Sequence, residues 1–417
     1  MIACTFLHLS VCAQSKKEEK ARKAFLASQD TSFIKWQEEK RLEELRKQAD
    51  FTEYLKTVNT DTIKDLSITG MGWSSWPDIA HFDSLKKLVA TGNTIKRIPP
   101  TVSNATGLKT IVLANNHTKR IRFHSNDSVM SVNLSENELK KIPRSLRKLP
   151  NLKILNISNN QIKRIPRWIK HMKTLEDIDL NYNQLHLTKA SIRRLKNMKI
   201  LQMGGNHLTK LPDNIGDLQR INKLNLGKNQ LSEVPASIAQ LDSLTTLIFY
   251  TNKFKNIPVE ITQLKQLKEL DLYYNELETV PNTLGNMTQL QRLYLAFNKI
   301  HVLPDTLRNL KNLRYLYVHH NHLGNIPTWV TNFQHLEILD ISYNQLFEIP
   351  DFSNMPELTE IDIQHNEIAW FPWSLLEKPN LKMLVAKDNP FILDEETKIQ
   401  LETTTKELQK TGVSILY

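Results

Sequence analysis

Residues 267–289 read LKELDLYYNELETVPNTLGNMTQ, and residues 290–312 read LQRLYLAFNKIHVLPDTLRNLKN. Both segments have 23 residues, with apolar residues, an asparagine and a proline at the same positions. In the first segment Leu267, Leu270 and Leu272 precede Asn275, and Pro281 follows it. No such unit is long enough to bury its own apolar face, so successive units must stack on one another. The repeat therefore decides the fold.

The asparagine of this unit recurs through most of the chain. Its spacing is 23 residues, except for 21 before Asn137 and 22 before Asn366. Proline follows six residues later in most units, but Arg122 and Lys189 take its place in two of them. Either of these departures would mark a loop or a change of curvature. The recurring residues are Asn93, Asn116, Asn137, Asn160, Asn183, Asn206, Asn229, Asn252, Asn275, Asn298, Asn321, Asn344, Asn366 and Asn389.

Each part of the unit has a physical reason. The alternating apolar residues predict a short strand with one buried face. A buried asparagine can satisfy the backbone groups of a tight turn, because its amide both donates and accepts hydrogen bonds. Stacked asparagines would then form a ladder. Proline presets φ for the return of the chain along the opposite side, where its missing N–H does no harm.

The pattern L-x-x-L-x-L-x-x-N-x-L-x-x-I-P resembles the 23-residue leucine-rich repeats of the Ras-scaffold, plant intracellular Ras-group and disease-resistance-like class. The resemblance implies an α/β repeat solenoid, a leucine-rich repeat horseshoe with a concave parallel β-sheet. The resemblance says much less about function, because one fold hosts many functions. The residues themselves predict helical caps at the N-terminal and C-terminal ends: residues 16–58 and 394–408 have helical patterns, and residues 413–416 predict a last strand.

The composition divides the chain into four segments. We predict a possible secretory leader over residues 1–14, a charged helical cap over 15–60, a solenoid of about 15 repeats over 61–393, and a C-terminal cap over 394–417. Asp30-Thr31-Ser32 interrupts the helical pattern of the first cap and predicts the start of a second helix. The first cap either shields the open end of the solenoid or presents a basic helix to an anionic partner.

The leader prediction rests on the first residues of the chain. The segment 2–13 is apolar and ends in small residues, and charged residues follow it, which is typical of the end of a secretory leader. An exported protein of the envelope or the exterior is therefore expected, and the alternative is a buried N-terminal segment of a cytoplasmic protein. No apolar run reaches the roughly 18 residues that span a bilayer, so we predict no membrane-spanning segment.

Catalytic and cofactor motifs are missing from the sequence. Past Cys12 there is no cysteine, and the 11 glycines form no phosphate-binding loop or nucleophile elbow. Only His319-His320-Asn321-His322 has the composition of a metal site, and the three histidines should point in different directions around the ladder asparagine. We therefore predict a protein that is not an enzyme and has no cofactor or metal.

The concave face carries the candidate binding residues. Residues six, four and two positions before each asparagine point away from the core. Rigid aromatic side chains at these positions are typical of binding interfaces, although cross-strand stacking would also stabilise the sheet. A protein or peptide partner is the first prediction, and a glycan or cell-wall ligand is the alternative. The candidates are Asp179, Tyr250, Asp271, Tyr273, Tyr294, Tyr315, Tyr317, His319 and Asp340. Tyr274, Phe297 and Tyr343 directly precede their asparagines and are expected near the edge of this face.

A basic ridge follows the asparagine in four successive repeats. The net charge of the chain is +11, and residues 139–173 contain no Asp or Glu. Like charges in a row repel, so the ridge is either a solvated edge or a site for an acidic protein, an anionic glycan or a membrane surface. Nucleic acid is not expected, because the aromatic residues lie elsewhere. The ridge comprises Lys96, Arg97, Lys119, Arg120, Lys140, Lys141, Lys163 and Arg164.

Overall fold

The computed structural model describes residues 16–77, 82, 84–98, 102 and 105–417, with side chains from residue 35 onward apart from residue 60. The predicted leader, residues 1–14, lies outside the described residues. In the described part of the chain one parallel sheet runs from end to end, and its strand order follows the sequence. This is the expected repeat solenoid.

Every strand of the sheet has three residues, which is the length that the alternating apolar pattern allows. The middle residue points into the core, and its two neighbours are partly exposed on the concave face, as in the pattern of Leu270 between Glu269 and Asp271. The strands are β1 Asp65–Ser67, β2 Lys87–Val89, β3 Thr110–Val112, β4 Ser131–Asn133, β5 Ile154–Asn156, β6 Asp177–Asp179, β7 Ile200–Gln202, β8 Lys223–Asn225, β9 Thr246–Ile248, β10 Glu269–Asp271, β11 Arg292–Tyr294, β12 Tyr315–Tyr317, β13 Ile338–Asp340, β14 Glu360–Asp362, β15 Met383–Val385 and β16 Ser414–Leu416.

Eight of the described return segments on the opposite side are single 3₁₀ turns, and six of these begin directly after the repeat proline. Pro281, for example, has φ −72° and ψ 146° and leads into a turn whose Leu284 is fully buried. Proline is suited to this position because its φ is fixed near the value required. The 3₁₀ segments are Thr60–Thr62, Arg144–Lys148, Arg167–His171, Ile215–Asp217, Ala236–Gln240, Ile261–Gln263, Asn282–Asn286, Asp305–Asn309 and Thr328–Asn332.

The two units without proline differ from the rest and from each other. The unit after Asn183 returns through a short α-helix, α2 Lys189–Leu195, whose N-cap Thr188 forms a capping box with Ser191. The unit after Asn116 has no helix over residues 113–130 and returns as an irregular segment. Asn126 fixes that segment, since its Nδ2 donates to the carbonyl of Ala105 at 3.1 Å and its Oδ1 accepts from the backbone N–H of Ser128 at 2.8 Å.

Helices flank the sheet at both ends. The first, α1 Lys16–Thr57, is continuous, so the prediction of a second helix starting at Asp30-Thr31-Ser32 was wrong. A local capping signal is worth only about 1 kcal/mol and does not break a helix whose other turns are favourable. Phe51 and Leu55 of α1 pack against the core, and Gln48 donates to the Met71 carbonyl at 2.6 Å.

The C-terminal end agrees with the sequence prediction of a helix followed by a last strand. The short helix α3 Trp373–Leu376 is followed by helix α4 Glu395–Lys410. Asp394 caps the N-terminus of α4, since its Oδ1 accepts from the backbone N–H of Thr397 at 2.8 Å. Strand β16 then pairs with β15 and extends the sheet. None of the helices in the described residues has both the length and the apolar composition to cross a bilayer.

The recurring asparagines bond each coil to the one before it. Asn298 Oδ1 accepts from the backbone N–H of Leu277 at 2.9 Å, and its Nδ2 donates to the carbonyls of Leu272 at 3.1 Å and Leu295 at 2.8 Å. Leu272 and Leu277 belong to the preceding unit. Asn93 through Asn366 are buried, and Asn389, at the C-terminal end, is partly exposed. The ladder therefore satisfies backbone groups that water cannot reach.

Removing one amide should weaken the stack measurably. We expect Asn298→Ala to lower the free energy of unfolding by about 1–3 kcal/mol, because it leaves buried backbone groups of two coils without partners. The measurement is the shift of the urea midpoint followed by circular dichroism. Asn286→Ala is the matched control, since Asn286 is exposed and should change stability by less than about 0.5 kcal/mol. Equal effects of the two substitutions would contradict a stabilising role for the ladder.

Candidate functional site

The concave side of β10–β13 carries two ring pairs formed by predicted residues. The rings of Tyr294 and Tyr317, on β11 and β12, stack at 5.1 Å with an interplanar angle of 10°. Tyr273 and His319 form the second pair, with ring centroids 5.6 Å apart, and both rings also contact Phe297. Because the strands are in register, side chains at equivalent positions of neighbouring repeats are adjacent. We call Tyr273, Tyr294, Tyr317 and His319 the concave ring cluster.

The other predicted tyrosines lie apart from the concave ring cluster. The Tyr315 hydroxyl donates to Glu337 Oε2 at 3.0 Å, and the Arg292 guanidinium lies 5.3 Å from its ring. Tyr250 packs over the backbone of Gly227, where a β-carbon would collide with its ring. The Lys228 ammonium lies 6.0 Å from the Tyr250 ring. Only a glycine at position 227 allows this close approach, so the position of Tyr250 depends on it.

The predicted aspartates share one local geometry but not one location. Asp179, Asp271 and Asp340 each use Oδ1 to accept a backbone N–H two residues further on, at 2.9, 3.0 and 3.1 Å. Asp271 and Asp340 border the concave ring cluster, and His319 Nε2 lies 3.7 Å from Asp340 Oδ2. Asp179 lies on β6, four strands from β10, and is therefore outside the cluster.

Burial changes the acid–base properties of this surface. It raises the pKa of Asp271 to about 6, against a backbone hydrogen bond from Tyr273 that lowers it, and it raises the pKa of Asp362 on β14 to about 6. Both carboxyls are therefore mostly ionised at neutral pH and mostly protonated near pH 5. Burial also raises the pKa of Tyr273 to about 12, so its hydroxyl stays protonated and can donate a hydrogen bond.

The hydroxyl groups of the concave ring cluster are available to a ligand. Within the described part of the chain, the hydroxyls of Tyr273, Tyr294 and Tyr317 have no hydrogen bond to protein, in contrast to Tyr315. Their rings are only partly exposed. An incoming backbone carbonyl or carboxylate could therefore accept from a phenol while apolar atoms pack on its ring.

A second row of rings follows the edge of the same surface. Sequence reasoning placed Tyr274, Phe297 and Tyr343 near this edge but missed that His320 and His365 complete the row. Adjacent centroids lie 4.1, 3.9, 4.0 and 4.1 Å apart from Tyr274 to His365, and the planes are within 26° of parallel. We call these five residues the edge column. The signal was present in the sequence, because each directly precedes a ladder asparagine.

The histidine cluster is arranged differently from the prediction. His319 and His320 do not point apart, since their Nδ1 atoms lie 2.9 Å from each other. His322 instead lies beside His301, with ring centroids 5.3 Å apart. Burial lowers the pKa of His319, which favours its neutral form. The described residues contain no group of three or more potential metal ligands placed to hold an ion.

The basic ridge lies on another surface, in the N-terminal repeats. All eight side chains are exposed. Among the described residues, Lys119 Nζ lies 3.7 Å from Glu138 Oε2, and the other seven ridge residues have no ion pair. Lys96, Arg97, Lys119, Arg120, Lys140 and Lys141 border two adjoining clefts, of about 1110 Å³ and 500 Å³. Lys163 and Arg164 lie outside both clefts.

The raised pKa values predict a pH-dependent stability. Between pH 3.8 and about 6 the folded protein binds more protons at Asp271 and Asp362 than the unfolded chain does, so this contribution to stability rises as pH falls through about 6. The double variant Asp271→Asn/Asp362→Asn keeps the Oδ1 acceptors and should flatten the change. Urea midpoints at pH 7 and 5 measure it. Asp242→Asn, at an exposed carboxylate, is the control, and an unchanged slope in the double variant would contradict the assignment.

Comparisons with known proteins agree with the geometry. A family model described as "Leucine-rich repeat region" matches residues 178–367, and one described as "Leucine rich repeat" matches residues 108–162 and 127–185. No curated protein matches the chain.

Solved structures show the same fold at low sequence identity. A leucine-rich repeat protein of Leptospira interrogans is 23% identical with a TM-score of 0.71, over 86% of this chain and 97% of that one. An internalin of Listeria monocytogenes is 20% identical with a TM-score of 0.55, over 88% and 95%. The plant peptide hormone receptor RGFR1, in complex with RGF2, is 23% identical with a TM-score of 0.50, over 79% of this chain and 64% of the receptor chain. The repeat sequence, the asparagine ladder and these matches together show that this chain has the leucine-rich repeat fold, a horseshoe-shaped solenoid.

Proposed function

We propose that this protein is a non-catalytic recognition protein that binds an extended segment of a protein or peptide partner on the concave face of β10–β14. The concave ring cluster is the observation that carries the proposal. It offers preorganised aromatic area and three unpartnered hydroxyl groups on a rigid sheet, and rigid anchors reduce the entropy cost of binding.

The charge of this surface favours a basic partner. Five carboxylates and one guanidinium, that of Arg292, project from β10–β14. Arg292 lies 3.9 Å from Glu269, which leaves the other four carboxylates available to cations. Opposite charge across an interface steers association and favours the correct partner. The carboxylates are Glu269, Asp271, Asp340, Glu360 and Asp362.

The backbone conformation of the edge column also supports a binding role. Its residues have φ between 49° and 53°, in the left-handed region where glycine and asparagine are favoured. The backbone requires this conformation in nearly every repeat, and the other repeats use residues as varied as Asn115, Glu136, Gly205, Lys228 and Thr251 there. Five bulky rings at strained positions are therefore not explained by the turn alone. A contact surface beside the concave ring cluster would explain them.

The similar structures support the general role and not the particular ligand. The plant receptor is a peptide hormone receptor solved with its peptide, and it shares the fold of this chain. A protein-interaction role is consistent with that likeness. The proposal of a concave site and a basic partner rests on the side chains of β10–β14 alone.

A glycan ligand is the competing interpretation, because sugars also stack on tyrosine and bond to carboxylates. The two differ in the salt dependence of binding. Binding of a neutral glycan should change little with salt concentration, whereas binding of a basic peptide should weaken as the salt concentration rises. The salt dependence can therefore separate the two ligands.

Truncating the concave ring cluster should weaken peptide binding strongly. We expect linear peptides selected from a random display library to be enriched in Lys, Arg and aromatic residues. Tyr273→Ala/Tyr294→Ala/Tyr317→Ala should weaken their binding by about 30-fold or more, since one buried anchor is worth about 2 kcal/mol. Isothermal titration with a selected peptide measures the change.

Two further variants complete this experiment. Val302→Ala/Phe347→Ala/Trp370→Ala removes three exposed apolar side chains outside the concave face and should leave the affinity for the peptide unchanged. Glu269→Lys/Glu360→Lys retains the rings and should weaken binding of the basic peptides. Unchanged affinity in the tyrosine variant would overturn the concave site. Retention of neutral oligosaccharides on an array, with no peptide selected, would favour the glycan interpretation.

We also propose that the protein is exported, on the basis of the leader pattern over residues 2–13. The test is the N-terminal sequence of the mature protein. Export predicts a new N-terminus close to Ala13, and a protein that retains Met1 would contradict it.

A further inference from the structure

The larger of the two clefts beside the basic ridge has the composition of an anion site. Its volume is about 1110 Å³, and none of the described residues that line it is a carboxylate. Ridge cations from three successive repeats line it, and three further cations, Arg122, Arg144 and Lys148, come from the return segments. The ridge cations at the cleft include Arg97, Arg120, Lys140 and Lys141.

The cleft lies at the unit that lacks proline. That unit is two residues shorter than the standard repeat and has no helix over residues 113–130, so its return segment leaves space beside the turn Arg144–Lys148. The wall is nevertheless fixed. The Phe123 side chain is buried, and its backbone N–H donates to Ser145 Oγ at 3.0 Å. The cleft is therefore part of the fold and holds the cations around an ordered depression.

Folding does not require these cations. In later repeats the same two positions after the asparagine hold Ser232-Glu233, Glu278-Thr279 and Phe347-Glu348. In the four N-terminal repeats that carry the basic ridge, both of these positions are basic in every repeat. Each pair forms one row, and rows in neighbouring coils lie about 4.8 Å apart. Such a row carries a repulsive energy that a bound anion would remove. The charge is thus concentrated where the fold also provides a cleft.

The arrangement favours one class of anion. An extended acidic peptide presents side chains on one face only every 6.6 Å or so, which does not match rows about 4.8 Å apart. A flat membrane would contact the rim of a depression and leave Arg122 and Arg144 unpaired. Single-stranded nucleic acid would need exposed aromatic rings on which its bases could stack, and the rings among the described lining residues are His124 and the buried Phe123. A chain of sugar rings with a charged group on each unit has a repeat close to the spacing of the rows.

We propose that this cleft binds a linear anionic polysaccharide, with sulfate or carboxylate groups on successive sugars paired to successive basic rows. This site is independent of the concave face, because the two surfaces share no residue and belong to different repeats.

Charge reversal at the cleft tests the proposal with heparin as a sulfated probe and polygalacturonate as a carboxylated one. The full-length variant Arg120→Glu/Arg122→Glu/Lys141→Glu/Arg144→Glu should lose about tenfold or more in affinity at 0.15 M salt, and its salt dependence should be flatter. All four side chains are exposed and have no ion pair among the described residues, so folding should be retained, and circular dichroism checks it.

The control is Lys253→Glu/Lys255→Glu/Lys265→Glu/Lys268→Glu, which makes the same change in net charge at exposed positions of later repeats. It should bind heparin within about twofold of the wild-type chain. Equal losses in the two variants would show that net charge alone binds heparin, and they would overturn the proposal. Tighter binding of polyglutamate, duplex DNA or phosphatidylserine vesicles than of either polysaccharide would overturn it as well. Because the two sites share no residue, weaker binding of the basic peptides by the tyrosine variant would neither support nor contradict the polysaccharide site.

Discussion

The structure depends on one interaction, the bonding of a buried asparagine amide to the coil that precedes it. Each three-residue strand is too short to hold a sheet by itself, and the turn after it places peptide groups where water does not reach. The amide supplies both the donor and the acceptor that those groups need. Because each amide bonds to the preceding coil as well as to its own, every coil requires its predecessor, and stability is shared between neighbours.

Because the ladder and the core hold the coils together, the residues that point away from the core are free to serve other purposes. The ladder and the apolar residues fix where each strand lies, so residues on the concave face are positioned without contributing to the core. A rigid surface of this kind suits recognition, because its side chains are already arranged before a ligand arrives. The raised pKa of Asp271 shows what the arrangement costs, since a half-buried carboxylate is held among rings rather than in water.

Two surfaces of opposite character lie in different parts of the same solenoid. The concave face of β10–β14 is aromatic and acidic, whereas the edge of the N-terminal repeats is basic and contains a cleft of about 1110 Å³. The separation along the solenoid keeps the two sets of charges from neutralising each other. A protein built from stacked units can therefore carry two surfaces of opposite charge that do not share residues.

The sequence by itself determined the strands, the ladder and the direction in which Tyr273 or Lys140 points, because equivalent residues of a repeat occupy equivalent environments. It could not determine contacts between side chains of different coils. The stacking of His320 with Phe297 and Tyr343, the contact between His319 and His320, and the packing of Tyr250 on Gly227 depend on how neighbouring coils are superposed. The basic cleft was also decided by tertiary structure. A missing proline shows that a unit is irregular, but only the packing of its return segment against the next turn decides whether a depression forms.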